Sequence, residues 1–117
     1  MTVRIKRVYE QAEKADGYRI LIDRLWPRGL SKEKAHVDKW LKEVAPSTEL
    51  RKWFQHDPKK WAQFCTKYRE ELKGSVALTE LQDDIHRHKS VTLLFGAKDE
   101  QHNDAVALRD LIGEQAE

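Results

Sequence analysis

Residues 22–30, IDRLWPRGL, end an apolar run by crowding Asp23, Arg24, Trp26 and Arg28 onto one bend. Two guanidinium groups are rigid donor forks suited to a phosphate or carboxylate. Trp26 offers a flat face for stacking on a base or another ring, and Asp23 a carboxylate able to exchange a proton or hold a hydroxyl. A second polar stretch, GAKDEQHND at 96–104, holds Lys98, Asp99, His102 and Asn103 just before a helical pattern. The N–H groups at such a helix start favour an anion. Arg24 and Arg28 are therefore the expected anion-binding residues and Trp26 the pocket wall. Lys98, His102 and Asn103 are expected to contact the ligand, and Asp23 and Asp99 are the candidate catalytic groups.

Each of these residues also has an ordinary role. Asp23 and Arg24 could pair or cap a turn, Trp26 could enter the core, and Pro27 and Gly29 could simply turn the chain. Asp99 and Asn103 are good N-caps, and His102 could face solvent in the first helical turn. Asp57 before Pro58 is an N-cap signal, which leaves His56 as a residue of a helix–helix corner. Cys65 lies on an apolar stripe, where burial without reactivity is the default. There is no Gly-rich phosphate loop, nucleophile elbow, paired metal-binding histidines or cysteine cluster, so no metal site is expected and no cofactor is named.

The elements that must position these residues follow from periodicity. Residues 2–9 alternate as a half-exposed strand, and 18–24, YRILIDR, contain an apolar run that predicts a strand buried on both faces. The short connection between them makes them antiparallel or not direct neighbours. Val37, Trp40, Leu41 and Val44 recur at helical spacing and predict a helix over 32–44 after an N-cap at Ser31. A short helix carries Leu50, Trp53 and Phe54, and a third runs from Pro58 to Gly74. A fourth carries Leu78, Leu81 and Ile85, and a last one covers 102–112. SVTLLFGA between the last two reads as a buried strand ending near Ala97. The expected fold is a single α/β domain over 1–117, with a small, at least partly parallel β-sheet of about three strands packed with about five α-helices. In such folds ligands gather beyond the carboxyl ends of the strands, where both polar stretches lie if their strands are parallel neighbours.

Composition narrows the class. The chain has 117 residues, 39% hydrophobic and 36% charged, enough for one core. No apolar run approaches the ~20 residues of a membrane span, and the start, MTVRIKRVYE, has no secretory-signal core, so a cytoplasmic protein without a membrane partner is expected. One cysteine excludes an intramolecular disulfide. Residues 1–60 hold 15 Lys+Arg against 9 Asp+Glu, and residues 61–117 hold 7 against 11. That asymmetry is compatible with an anionic partner for the front half.

RVYE, DGYRILIDRLWPRG, APSTELRKWFQHDP and VTLLFGAKDEQHNDAVAL, in this order and spacing, resemble the YeaO-like proteins, a bacterial branch of a larger family classed as a domain of unknown function. The likeness spans nearly the whole chain. It implies an α/β fold, an intracellular bacterial protein and no established activity. In the broader family the last strand leads into a segment with a cysteine, an acidic residue and a Cys-His-Arg triplet. This chain has Gly96, Lys98-Asp99 and His102-Asn103-Asp104 there. The resemblance thus carries over the position of a site but no thiol chemistry.

The resulting expectation is an enzyme-like pocket for an anionic, phosphate- or nucleotide-like small molecule. The alternative is a nucleic-acid-binding or regulatory module whose basic front half tracks phosphates while Trp26 or Trp53 stacks on bases. Against it, no recognised nucleic-acid motif is present.

Overall fold

A computed structural model describes residues 2–115, with side chains through Gly113. Strands β1 (Thr2–Arg7), β2 (Tyr18–Leu21), β3 (Lys39–Trp40) and β4 (Ser90–Phe95) form one sheet in the order β1-β4-β2-β3, with every pairing parallel. Five helices complete the fold: α1 (Lys32–Ala35), α2 (Thr48–Phe54), α3 (Trp61–Leu72), α4 (Val76–Arg87) and α5 (Asp104–Gln115). The first two strands are not neighbours. The last strand slots between them, pairing Ile5 with Leu93 on one side and Ile20 with Leu93 on the other.

That insertion explains the apolar runs of β2 and β4. A central parallel strand is covered on both faces, so consecutive side chains are all buried. Ile20, Ile22, Leu93 and Phe95 enter the larger core with Phe64, Tyr68, Leu81 and Leu108, whereas Leu21 and Leu94 point into a smaller cluster with Val8, Ala35 and Trp26. The edge strand β1 instead alternates partly buried Val3 and Ile5 with the charged Arg4 and Lys6.

Two expectations need correction. The sheet has four strands rather than about three, and the helix foreseen over 32–44 does not exist as such. It stops at Ala35, because His36 adopts a left-handed conformation (φ 50°). Residues 39–40 then pair with β2, and only a short 3₁₀ turn remains at Lys42–Val44. The apparent helical spacing arose because Leu41 and Val44 reach the core from a strand end and a turn. Trp40, 36% exposed, sits on the sheet edge instead of on a buried helical stripe.

The expected cap at Asp57 accepts from Lys59 N, but it opens a 3₁₀ turn, Pro58–Lys60, and α3 follows from Trp61. Ser47 Oγ accepts from Leu50 N at the start of α2 and Ser75 Oγ from Leu78 N at the start of α4, each satisfying a backbone donor that the first turn leaves unpaired. No helix among the described residues is long and apolar enough to cross a membrane.

Candidate functional site

Beyond the carboxyl ends of β2 and β4 lies a cavity of about 230 Å³. Three stretches build it: Asp23, Arg24 and Leu25 after β2; Pro46, Arg51, Phe54, His56 and Phe64 from the helical segment; and Ala97, Asn103 and Asp104 between β4 and α5. Because β2 and β4 are parallel neighbours, the two polar stretches after them meet.

Asp23 is the hinge of this meeting. Its Oδ2 accepts from Gly96 N at 2.8 Å, tying the bend to the end of β4, and its carbonyl accepts from Trp40 Nε1 at 2.7 Å. The approach to Gly96 is close: a Cβ there would lie 3.2 Å from Asp23 Oδ2. Asp23 also forms a side-chain hydrogen bond with Asp104, in the first turn of α5. Burial, then the charge of Asp23 and this hydrogen bond, push the Asp104 carboxyl well above the usual carboxylate range. Asp104 Oδ1 additionally accepts from Ala105 N at 3.0 Å.

Two arginines line the same cavity. Arg24 donates through one terminal nitrogen to Ala45 O at 3.3 Å, and Arg51 through one terminal nitrogen to Thr48 Oγ1 at 3.4 Å. Both contacts are long. The buried Nε of each arginine has no hydrogen-bond partner, and these are the two such buried side-chain atoms among the described residues. A buried donor left unmade costs about 1–3 kcal/mol, so both guanidinium groups retain an unmet demand for an acceptor.

Apolar residues close the walls. Phe54 stacks on Phe64 with centroids 4.4 Å apart, and Leu25 stays 68% exposed at the rim. Gln55 and His56 follow α2 in successive left-handed conformations (φ 48° and 55°), a strained corner that sets His56 against the cavity. Deeper in, the Tyr68 hydroxyl donates to Val44 O, and burial holds its pKa well above the ordinary phenol value.

The residues singled out from sequence divide. Asp23, Arg24 and Asn103 line the cavity. Asn103 is spent on structure there: its Oδ1 caps α5 by accepting from Val106 N at 3.0 Å, while Nδ2 donates to Asp99 O at 2.8 Å. The cavity lining does not include Asp99 or His102. Asp99 accepts from the Gln101 and His102 backbone N–H groups and contacts His102 Nδ1 at 2.9 Å. The Gln101 N–H, followed by the His102 ring, holds the Asp99 carboxyl below its usual range. The His102 ring packs edge-on against Trp61.

Lys98 and Arg28 are exposed and outside the lining, and the Arg28 carbonyl accepts from the Tyr9 hydroxyl. Trp26 turns to the other face of the sheet, donating its Nε1 to Leu30 O at 2.6 Å and meeting Trp40 edge-on at 5.4 Å. Its large apolar ring is better buried there than left on a rim. Cys65 is half-buried on α3, where burial raises its thiol pKa.

Arg51 and Asp104 complete the site and were not singled out. Arg51 sits one position after the core residue Leu50 in a lysine- and arginine-rich stretch, which gave it no distinguishing mark. Asp104 follows a cap in a first helical turn, the usual place of a dipole-stabilising acid. Only its contact with Asp23 sets it apart.

Comparison with known proteins places this geometry in a family. Residues 2–117 match the family described as the inactive DUF488-N3 subclade. The chain is 44% identical over 112 residues to the uncharacterized protein YeaO of Escherichia coli strain K12, covering 96% of this chain and 97% of that one. It is also 49% identical over 80 residues to the uncharacterized protein Rv3073c of Mycobacterium tuberculosis strain H37Rv, covering 68% of each. No solved structure matches the chain.

Proposed function

This chain belongs to the inactive DUF488-N3 subclade, and we propose that it is a cytoplasmic protein whose pocket binds a small oxyanion, a carboxylate or phosphate, at the carboxyl ends of its strands. The observation that carries this reading is the pair of buried, unpartnered Nε donors of Arg24 and Arg51 on one cavity. An oxyanion supplies the missing acceptors and the compensating charge together. Phe54, Phe64 and Pro46 add apolar walls for a short hydrocarbon body.

Size selects within the anions. At about 230 Å³ the cavity is smaller than the range that encloses drug-sized ligands, roughly 300–1,000 Å³. A metabolite of a few carbons is therefore the better fit than a whole nucleotide. The word "inactive" in the family's description accords with binding in place of turnover. So does the use of Asp99 as a turn former, which leaves Asp23 and Asp104 as the acids of the pocket.

Titration calorimetry with inorganic phosphate, acetate and propionate at low and moderate salt tests the reading. Saturable binding at one site, lost in Arg24→Ala/Arg51→Ala, is the expected result. Binding only to polynucleotide, collapsing as salt rises, would replace it with the nucleic-acid module.

A further inference from the structure

An oxyanion accounts for the arginines and leaves the acids unexplained. Asp23 and Asp104 line the same cavity as Arg24 and Arg51. Carboxyls beside an anion site oppose the ligand unless the ligand also presents something to them. Gly96 N takes one oxygen of Asp23, and Ala105 N takes one oxygen of Asp104. Each carboxyl keeps its other oxygen for a proton or for a ligand.

Resting on the oxyanion reading, we propose that the ligand is a zwitterion, a small carboxylate or phosphate bearing a primary ammonium group, and that the ammonium docks between the carboxyls of Asp23 and Asp104 on the cavity wall. The arginines hold the anionic end, the carboxyl pair holds the cationic end, and Phe54 and Phe64 flank the carbons between.

The exchange balances. In mildly acidic solution, where the raised pKa of Asp104 favours its protonated form, the O–H bond breaks as the ammonium docks, the proton passes to solvent, and the electron pair stays on the carboxylate. The doubly negative Asp23–Asp104 pair then accepts the N–H groups of the ligand, whose own protonation is unchanged. The other charged or titratable groups around Asp104 are Arg24 from the bend, Arg51 from α2, His56 from the α2–α3 corner and Tyr68 from α3. Tyr68 stays protonated, because burial raises its pKa further. Ammonium ligands should therefore bind more tightly as pH rises toward the Asp104 titration, where the proton is easier to displace. Anions without an amine should follow the opposite slope, because the pocket loses positive charge.

The test pairs probes of one skeleton with and without the amine: β-alanine and propionate, γ-aminobutyrate and butyrate, phosphoethanolamine and ethyl phosphate. Calorimetry of the intact protein gives affinity, and a pH electrode in weakly buffered, mildly acidic solution gives the proton count. The expected result is that one of the amine probes binds at least about tenfold tighter than its partner and releases about one proton per ligand. In Asp104→Asn both the proton release and the advantage of the amine should vanish. Equal affinity within every pair, or binding without proton release, overturns the zwitterion while the oxyanion reading stands. No binding by any of the six probes overturns both.

Discussion

Two charged clusters lie at opposite ends of β2, and they handle their hydrogen bonds differently. At the start of the strand Arg19, 4% exposed, spends its whole guanidinium: Nε donates to His36 O, one terminal nitrogen to Ala35 O and the other to Asp16. Asp16 in turn accepts from Glu13 N and from Lys6. Burial alone would raise the Asp16 pKa, yet these donors outweigh it and hold the carboxyl below its ordinary range. Past the far end of the strand, the Nε atoms of Arg24 and Arg51 are unpaired, and burial and the charge of Asp23 push the Asp104 carboxyl well above its ordinary range. A closed network stabilises a fold, whereas one with unmet donors keeps capacity for a ligand.

The largest test of that contrast is Arg19→Ala. It removes one of the two cations paired with the buried Asp16 carboxylate and breaks two hydrogen bonds to the Ala35 and His36 carbonyls, so unfolding should become easier by about 3–5 kcal/mol in chemical denaturation. A loss below about 1 kcal/mol would show that the first cluster is not what holds this end of the sheet.

Arg24→Ala/Arg51→Ala should behave oppositely. Each arginine that meets an oxyanion contributes about 1.5–3 kcal/mol of charged hydrogen bonding. Affinity for the small anion should therefore fall at least about tenfold per residue, while thermal stability stays nearly unchanged. A large stability loss with intact binding would reverse the two clusters' roles.

Acid titration separates the carboxyls. The folded-state pKa of Asp16 lies below its unfolded value, so its stabilisation is present above the ordinary carboxylate range and is lost as pH falls through the folded value. Asp104 has the opposite sign. Its raised pKa favours the fold at low pH, and that contribution is lost as pH rises from the ordinary carboxylate range through the folded value. Asp104→Asn should therefore raise stability at neutral pH by about 1 kcal/mol and flatten the decline above mildly acidic pH, as read from melting temperature against pH. An unchanged profile would mean that the pair shares no proton.

The smallest effect is at the rim. Leu25→Ser, at a residue 68% exposed, should leave stability within about 0.5 kcal/mol. A larger loss on thermal melting would mean that the rim takes part in the core.

Much of this was legible in the chain itself. The ILI and VTLLF runs mark doubly covered strands, and Ser31 and Asp57 mark helical starts by the same oxygen-to-N–H geometry. These are local properties of a few consecutive residues. The bend after β2 stood out as a polar stretch beyond the end of a buried strand, and Asp23 and Arg24 of that bend line the cavity.

Residues 32–44 mark where local reasoning stops. Their apolar spacing fits a helix, but pairing Ile20 with Lys39 and Leu21 with Trp40 won, a choice made by a strand nineteen residues earlier. The direction of Trp26 and the gathering of Arg51 with Asp104 are of the same kind. A side chain's face depends on the sheet order β1-β4-β2-β3, and periodicity along one segment contains no information about its neighbours. The sequence determined strands β1, β2 and β4, several caps and the polar stretch at a strand end, because each arises from neighbours in the chain. Only the tertiary structure decided which charges meet. Asp23 touches Asp104 because β4 lies beside β2, and that adjacency exists only after the chain has folded.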